Sequence, residues 1–223
     1  MTLRPRRARV SRRAGLYACE SALARNGLGP VAGVDEAGRG CCAGPLVVAA
    51  VVLPPSSRVP ELNDSKLLTE AGRERVYAAL ERSRVPSATV VYEASEVDAR
   101  GVGACNLEGM RRAVARLEAR PRYALTDGFA VSGMPCPSLG VVKGDRTVAA
   151  IAAAGVVAKV ERDRRMQELD ALYPEYGFAG HKGYGTEGHM RALSEHGPCP
   201  EHRMSFSNVA ALAGAGRADG RVE

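Results

Sequence analysis

The sequence predicts an α/β chain built on a mixed sheet, and three observations carry that expectation. Short β-branched runs alternate with stretches of helical periodicity along the chain. The first two such runs, at 31–34 and 45–53, lie close together around a glycine-rich turn, which suits a hairpin and not a parallel crossover. Of 223 residues, 45% are apolar and 25% charged, the balance of a globular chain long enough to bury a core. Aromatic residues make up only 4% and Trp is absent, so core volume must come from Val, Leu, Ala and Ile.

The elements follow in order. Val31 to Val34 is a short apolar strand that runs into Asp35-Glu36, then the tight polar turn Ala37-Gly38-Arg39-Gly40. The run PLVVAAVVL at 45–53, closed by prolines, is a second buried strand. Pro54, Pro55 and Pro60 mark a loop. Thr69 with Arg73 to Leu80 reads as a helix, with Val76, Ala79 and Leu80 on one face, and 88–93 as a third strand. Leu107, Met110, Val114 and Leu117 share a face of a helix at 105–119 that Pro121 ends. Tyr123 to Thr126 is a strand that delivers Asp127-Gly128, and 139–143 is another that delivers Gly144-Asp145. Ala149 to Leu172 is an alanine-rich helix with a charged second half, and short helices are predicted around 187–196 and 206–213. The expected organisation is a disordered basic arm at 1–29, a folded domain at 30–213 and a frayed tail at 214–223.

The charge is unevenly placed. Residues 1–25 carry seven Arg and one acid, Glu20, which accounts for the whole net charge of +6. The body is therefore neutral and the arm basic. Such an arm tracks phosphate backbones, or is a solvated tail; its Arg-rich, acid-poor start also fits a transit peptide. No apolar segment follows the arginines as in a secretory signal, and no run approaches the roughly 18 apolar residues of a membrane span. The expected location is the cytoplasm. The six cysteines include no C-x-x-C pair and are expected to be reduced thiols. The four histidines lie late in the chain without the spacing of a zinc site.

The chemistry concentrates in carboxylates at strand ends: Asp35 and Glu36 after one strand, Asp127 after another, Asp145 after a third. Gathered together, such acids repel by several kcal/mol unless cations neutralise them, and hard oxygen ligands suit Mg²⁺ or Mn²⁺. Acids beside glycines also cap turns, so acids and glycines alone leave both readings open. Asp163, among Arg162, Arg164 and Arg165, reads as part of a solvated ion-pair face, and Asp64 and Asp98 as loop or cap residues.

The motifs VDEAGRG at 34–40, NDSK at 63–66, TDG at 126–128, VKGD at 142–145, AAA-GVVAKVERD at 152–163, KGYGT at 182–186 and HRMSF at 202–206 together resemble the type 2 ribonucleases H (ribonuclease HII), over roughly residues 30–210. The resemblance implies a ribonuclease H-like fold, with a five-stranded mixed sheet flanked by helices and a small helical C-terminal part. It implies that Asp35, Glu36, Asp127 and Asp145 are the catalytic acids, holding two Mg²⁺ or Mn²⁺ ions. The implied activity is endonucleolytic cleavage of RNA in RNA–DNA hybrids. It includes cutting 5′ to a single ribonucleotide embedded in duplex DNA, leaving 3′-hydroxyl and 5′-phosphate ends, in ribonucleotide removal and RNA primer clearance.

In the same resemblance Gly38, Arg39 and Gly40 read the junction between a ribonucleotide and the next deoxynucleotide, glycine letting the backbone approach the 2′-hydroxyl. Tyr184 matches the tyrosine that stacks on the following sugar. Lys66, Lys143 and Lys182 are three of four lysines against 27 arginines, and their place inside motifs suggests phosphate contacts. Arg203 and Ser205 are structural or phosphate-facing.

The chain departs from the family pattern at Leu67, where a second Lys is usual, at Gly155 in place of Ser, and at Glu161 in place of Thr. Gly inside a helix costs about 1 kcal/mol relative to Ala.

Rival readings are a non-catalytic nucleic-acid-binding protein, and another two-metal nuclease such as a junction resolvase, which would cut all-DNA substrates. The short segment before the first strand argues against type 3 enzymes, which carry an extra N-terminal domain. The tail, ending ADGRVE, has no aromatic anchor, so no clamp-binding peptide is expected, and a monomer is the default.

Overall fold

The computed structural model describes residues 15–54 and 56–215. The β-branched runs form the strands β1 (Val31–Ala37), β2 (Leu46–Val52), β3 (Ser87–Tyr92), β4 (Tyr123–Asp127) and β5 (Ser138–Val141). They make one five-stranded mixed sheet in the order β3-β2-β1-β4-β5. β1 and β4 are parallel, with Val31 opposite Tyr123 and Val34 opposite Thr126. β4 and β5 are parallel too, with Asp127 opposite Val141. β2 is buried along its whole length, which explains its unbroken apolar sequence.

The helices are α1 (Ala18–Arg25), α2 (Glu70–Arg82), α3 (Ala94–Arg100), α4 (Val102–Arg116), α5 (Ala149–Leu172), the single turn α6 (Phe178–His181), α7 (Glu187–His196) and α8 (Ser207–Ala215). Threonines start two of them. Thr69 Oγ1 accepts the Gly72 N–H at 3.1 Å, and Thr186 Oγ1 accepts the His189 N–H at 3.3 Å. No helix among the described residues is long and apolar enough to cross a membrane. All six cysteines are free.

The chain divides into two compact units. The first comprises the residues up to Ala37, Val48–Val90 and Leu107–Val160. Its core joins Leu23, Val31, Tyr123, Leu125, Val148 and Ile151. The alanines of α5 from Ala149 to Ala154 are completely buried, small side chains that allow close packing in the interior.

One expectation is corrected in this unit. Residues 18–25, predicted to lie in a disordered arm, form α1. The reason is non-local: Glu20 is buried and its Oε1 accepts the Ala150 N–H at 2.6 Å, while Ala149 N–H donates to the Leu16 carbonyl. The first turn of α5 holds no acid of its own, so Glu20 supplies the anion that the helix N-terminus favours. Residues 1–14, with most of the arm's arginines, and 216–223, with the end of the tail, lie outside the described residues.

The second unit comprises Gly38–Val47, Val91–Asn106 and the residues from Glu161 onward. Its apolar clusters join Ala43, Met166, Tyr176 and Phe178, and Cys42, Leu193 and Val209. Three of the late histidines belong to this core. His181 stacks on His189 with ring centroids 4.0 Å apart, and His189 Nε2 meets His202 Nε2 at 3.1 Å. Burial pulls the pKa of both His189 and His202 down, that of His202 to about 4, so the pair is neutral near pH 7.

Asp163, expected on a solvated face, is buried at 5% exposure, next to the buried Arg162 on α5. Asp98, expected as a loop or cap residue, lies on α3 and accepts hydrogen bonds from the Met204 and Ser205 N–H groups and the Ser205 hydroxyl.

Candidate active site

The register of the sheet places the acids. Because Val34 lies opposite Thr126, the next residues, Asp35 and Asp127, stand at the adjacent carboxyl ends of β1 and β4. Asp145 follows β5 by four residues, on the single helical turn Gly144–Arg146. Asp127 Oδ1 reaches that turn and accepts the Gly144 N–H at 2.7 Å and, more loosely, the Asp145 N–H at 3.4 Å. Asp35 Oδ1 accepts the Glu36 N–H at 2.8 Å. Asp35 and Asp145 are buried; Asp127 and Glu36 are half-buried.

The electrostatics are those of crowded anions. Burial, and after it the charges of Glu36 and Asp127, pushes the Asp35 carboxyl well above the usual carboxylate range. The Glu36 N–H and Lys66 oppose this without offsetting it. One cation already sits on the group: Lys66 Nζ lies 3.2 Å from Asp145 Oδ2. Partial burial would pull the Lys66 ammonium down, but the hydrogen bond to Asp145 and the charges of Asp145, Asp35 and Asp64 raise it overall. Asp64, fully buried, organises this corner. Its Oδ1 accepts the Lys66 N–H at 2.9 Å and its Oδ2 pairs with Arg146 Nε at 3.0 Å, so it fixes residues on either side of the lysine–aspartate contact.

The donor set is all carboxylate oxygen, the chemistry of a hard divalent cation, and the ammonium on Asp145 shows that the group accepts positive charge. Among the described residues, no three His, Cys, Asp or Glu side chains are closed into a ready metal-coordinating set. Asp35 and Asp127 instead each direct an oxygen to a backbone N–H.

Gly155, noted as a departure from the family pattern, has a specific neighbour. A Cβ at this position of α5 would overlap Asp35 Oδ2, so the carboxylate occupies the space that a side chain would take. Nothing in the sequence pattern signals that proximity.

The remaining motif residues of this unit are Lys66 and Lys143, both exposed. In the second unit, Gly38 is buried, whereas Arg39, Gly40 and Tyr184 are exposed, with Tyr184 at 50%. Lys143 and Lys182 both have left-handed backbone, with φ of 55° and 51°, a conformation that costs an L-residue about 1 kcal/mol and that Glu61, Arg84 and Arg120, outside the motifs, also adopt. Arg203, left open between structural and phosphate-facing roles, is fully buried.

Residues 32–209 match the family model of ribonuclease HII. The chain belongs to the ribonuclease HII family. As a type 2 ribonuclease H it is an endonuclease of a family that acts on RNA–DNA hybrids. Ribonuclease HII from Rhodococcus opacus (strain B4) is 58% identical over 214 residues, covering 95% of each chain. Among solved structures, the ribonuclease H2 of Pyrococcus horikoshii OT3 superposes with a TM-score of 0.73 at 25% identity, covering 84% of this chain and 98% of that one. The RNase HII of Archaeoglobus fulgidus, solved in complex with PCNA, gives a TM-score of 0.70 at 26% identity, covering 82% and 96%. The five-stranded sheet is thus the ribonuclease H-like sheet that the motifs implied, and the reading as a non-catalytic binding protein falls away.

Proposed function

We propose that this ribonuclease HII cuts duplex DNA on the 5′ side of a single embedded ribonucleotide, as well as RNA in hybrids, leaving 3′-hydroxyl and 5′-phosphate ends. The observation that supports this best is the placement of Asp35 and Asp127 on adjacent strand ends, with Asp127 bonded to the turn that carries Asp145. Asp35, Glu36, Asp127 and Asp145 would hold two Mg²⁺ or Mn²⁺ ions, a role that their oxygen donors and the repulsion of Asp35 by Glu36 and Asp127 fit. Two such ions, when bound, supply an activated water and charge stabilisation at the leaving oxygen.

The protein's own part is positional. The Gly144 and Asp145 N–H groups hold the Asp127 carboxylate in one orientation. Asp64 holds Lys66 beside Asp145, where its ammonium balances negative charge and is available to a substrate phosphate. Lys143 and Lys182, exposed and half-exposed on left-handed turns, would make further phosphate contacts. Gly38, Arg39 and Gly40 would read the ribonucleotide's 2′-hydroxyl, and the exposed Tyr184 ring would stack on the next sugar. The enzyme acts as a monomer in the cytoplasm, in ribonucleotide removal and RNA primer clearance.

The test is cleavage of a DNA duplex containing one ribonucleotide beside an all-DNA duplex, with Mg²⁺, Mn²⁺ or chelator, for wild type and Asp127→Asn. The asparagine keeps an oxygen that accepts the Gly144 N–H, so the variant folds. Expected is a metal-dependent cut 5′ to the ribonucleotide, lost in the variant and absent from the all-DNA duplex. Equal cutting of both duplexes would favour a general nuclease.

A further inference from the structure

Two arginines outside the acid cluster are buried more deeply than any other charged side chain of their size among the described residues. Arg162 on α5 is 1% exposed and Arg203, after α7, is fully buried. Neither is paired with a carboxylate among the described residues; every hydrogen bond they make ends on a main-chain carbonyl. Arg162 Nε donates to Pro45 at 2.8 Å, Nη1 to Lys182 at 2.8 Å and Nη2 to Ala43 at 3.1 Å. Arg203 Nε and Nη2 donate to Gly44 at 3.0 and 2.7 Å, and Nη1 to Gly38 at 2.7 Å with a longer contact to Arg39.

These acceptors are not scattered. They lie in the segment 38–45, which contains the Gly38-Arg39-Gly40 turn, and at Lys182, beside Tyr184. The two segments are also joined directly, the Cys42 N–H donating to the Gly183 carbonyl at 3.0 Å. Gly38, at φ +90°, lies so close to the Arg162 side chain that a Cβ there would overlap Nε, and a Cβ on Gly183 would overlap the Ala43 carbonyl. By contrast, a Cβ on Gly40 would meet nothing within 4 Å. The glycine at 38 is thus explained by the arginine packed behind it, whereas no contact within the protein requires one at 40, on the exposed face of the same turn.

Stability alone is a poor reason for this arrangement. Two buried cations with no carboxylate in contact repel, the more distant charge of Asp98 only partly offsetting this, and well-packed apolar residues of the same volume are generally at least as stable. Burial, then the charge of Arg162, pulls the Arg203 guanidinium down to about 10, so it still carries charge at neutral pH. What a guanidinium does that an apolar residue cannot is hold several carbonyls at fixed angles through its planar fork.

We propose that Arg162 and Arg203 are positioning residues for ribonucleotide recognition, holding the Gly38-Arg39-Gly40 turn and the Lys182-Gly183-Tyr184 turn in their binding conformation before substrate arrives. The inference rests on the reading that these two turns contact the substrate. Preorganisation of this kind acts on binding, because the ordering entropy is lost at folding and not at association.

The experiment uses the full chain with Arg162→Lys, Arg162→Met, Arg203→Lys and Arg203→Met, and Tyr184→Ala as the control for the underlying reading. Each folded variant is assayed on the single-ribonucleotide duplex for KM and kcat, with a Mg²⁺ titration to report on the acid cluster. The expected result is a rise in KM of about tenfold or more in the arginine variants, with kcat at saturation and the Mg²⁺ dependence nearly unchanged. The Met variants should melt no lower than the Lys variants. Folded arginine variants with wild-type KM, or variants whose kcat alone falls, overturn the proposal. Failure of all four to fold assigns the pair to stability and overturns it as well. A raised KM in Tyr184→Ala beside wild-type KM in the arginine variants sinks the positioning role alone; wild-type KM in Tyr184→Ala removes the underlying reading and the proposal with it.

Discussion

Replacing Gly155 by Ala sets two effects of similar size against each other. In an ordinary helix interior the change would stabilise by about 1 kcal/mol. Here the new Cβ overlaps Asp35 Oδ2, and ordinary van der Waals spacing requires the carboxylate to retreat by about 1 Å. That movement strains the bond that Asp35 Oδ1 accepts from the Glu36 N–H at 2.8 Å. Hydrogen bonds to charged groups are worth about 1.5–3 kcal/mol, so its weakening offsets the helical gain and net stability changes by no more than about 1 kcal/mol. Activity has no such compensation, since a displacement of about 1 Å at a reacting centre can cost about 10²-fold. Gly155→Ala should therefore melt within a few degrees of wild type while kcat falls roughly ten- to a hundredfold. Gly155→Ser, which restores the family's usual residue, adds the same Cβ with a hydroxyl able to donate to the displaced carboxylate, and should recover most of the loss. Thermal denaturation beside single-turnover cleavage over a range of Mg²⁺ concentrations measures both. A Gly155→Ala protein that gains the full helical increment and cleaves at the wild-type rate would refute the reasoning, as it would show that Asp35 is free to move.

Acid should destabilise the fold through its buried histidines. With the His202 pKa lowered from 6.5 to about 4, the unfolded chain binds more protons between those values. The contribution is full above about pH 6.5 and is lost as pH falls toward 4, up to roughly 3 kcal/mol for this residue. Urea midpoints measured from about pH 7.5 down to 4.5 should fall, and less steeply in His202→Gln, which keeps a donor and an acceptor but does not titrate there; equal slopes would show that the histidines are not the source. Glu20→Ala should destabilise the protein by about 1 kcal/mol, since Glu20 accepts from the Ala150 N–H at the start of α5, whereas Glu20→Gln should recover part of the loss. Chemical denaturation of the two variants checks this, and an unchanged midpoint in Glu20→Ala would show that the contact adds nothing.

Local patterns carried most of the secondary structure. The alanine-rich run from Ala149 to Leu172 matches the bounds of α5, because its small residues and lack of Pro leave no other regular structure available. α1 was hidden because its sequence is that of a solvated arm, and its one decisive residue, Glu20, finds its partner 130 residues later. Asp163 misled for a related reason. Its neighbours in sequence are charged, but burial depends on which face of α5 is covered, and three adjacent arginines say nothing of that. The sequence around Asp64 suggests a loop or cap residue. Asp64 does cap, but it also holds Arg146 across 82 residues, and that second role has no local trace.

By itself the sequence determined the alternation of strands and helices, the hairpin, the acids at strand ends and, through the motifs, the family. These depend on periodicity and on residue types a few positions apart, which a linear reading contains. Only the tertiary structure decided that Asp35 stands beside Asp127, that Gly155 makes room for a carboxylate, and that Arg162 and Arg203 are spent on carbonyl groups and not on phosphate. Each of these is a contact between segments far apart in the chain. It is set by strand register and burial, and the side chains involved would look equally at home on the surface until the packing removes water from them.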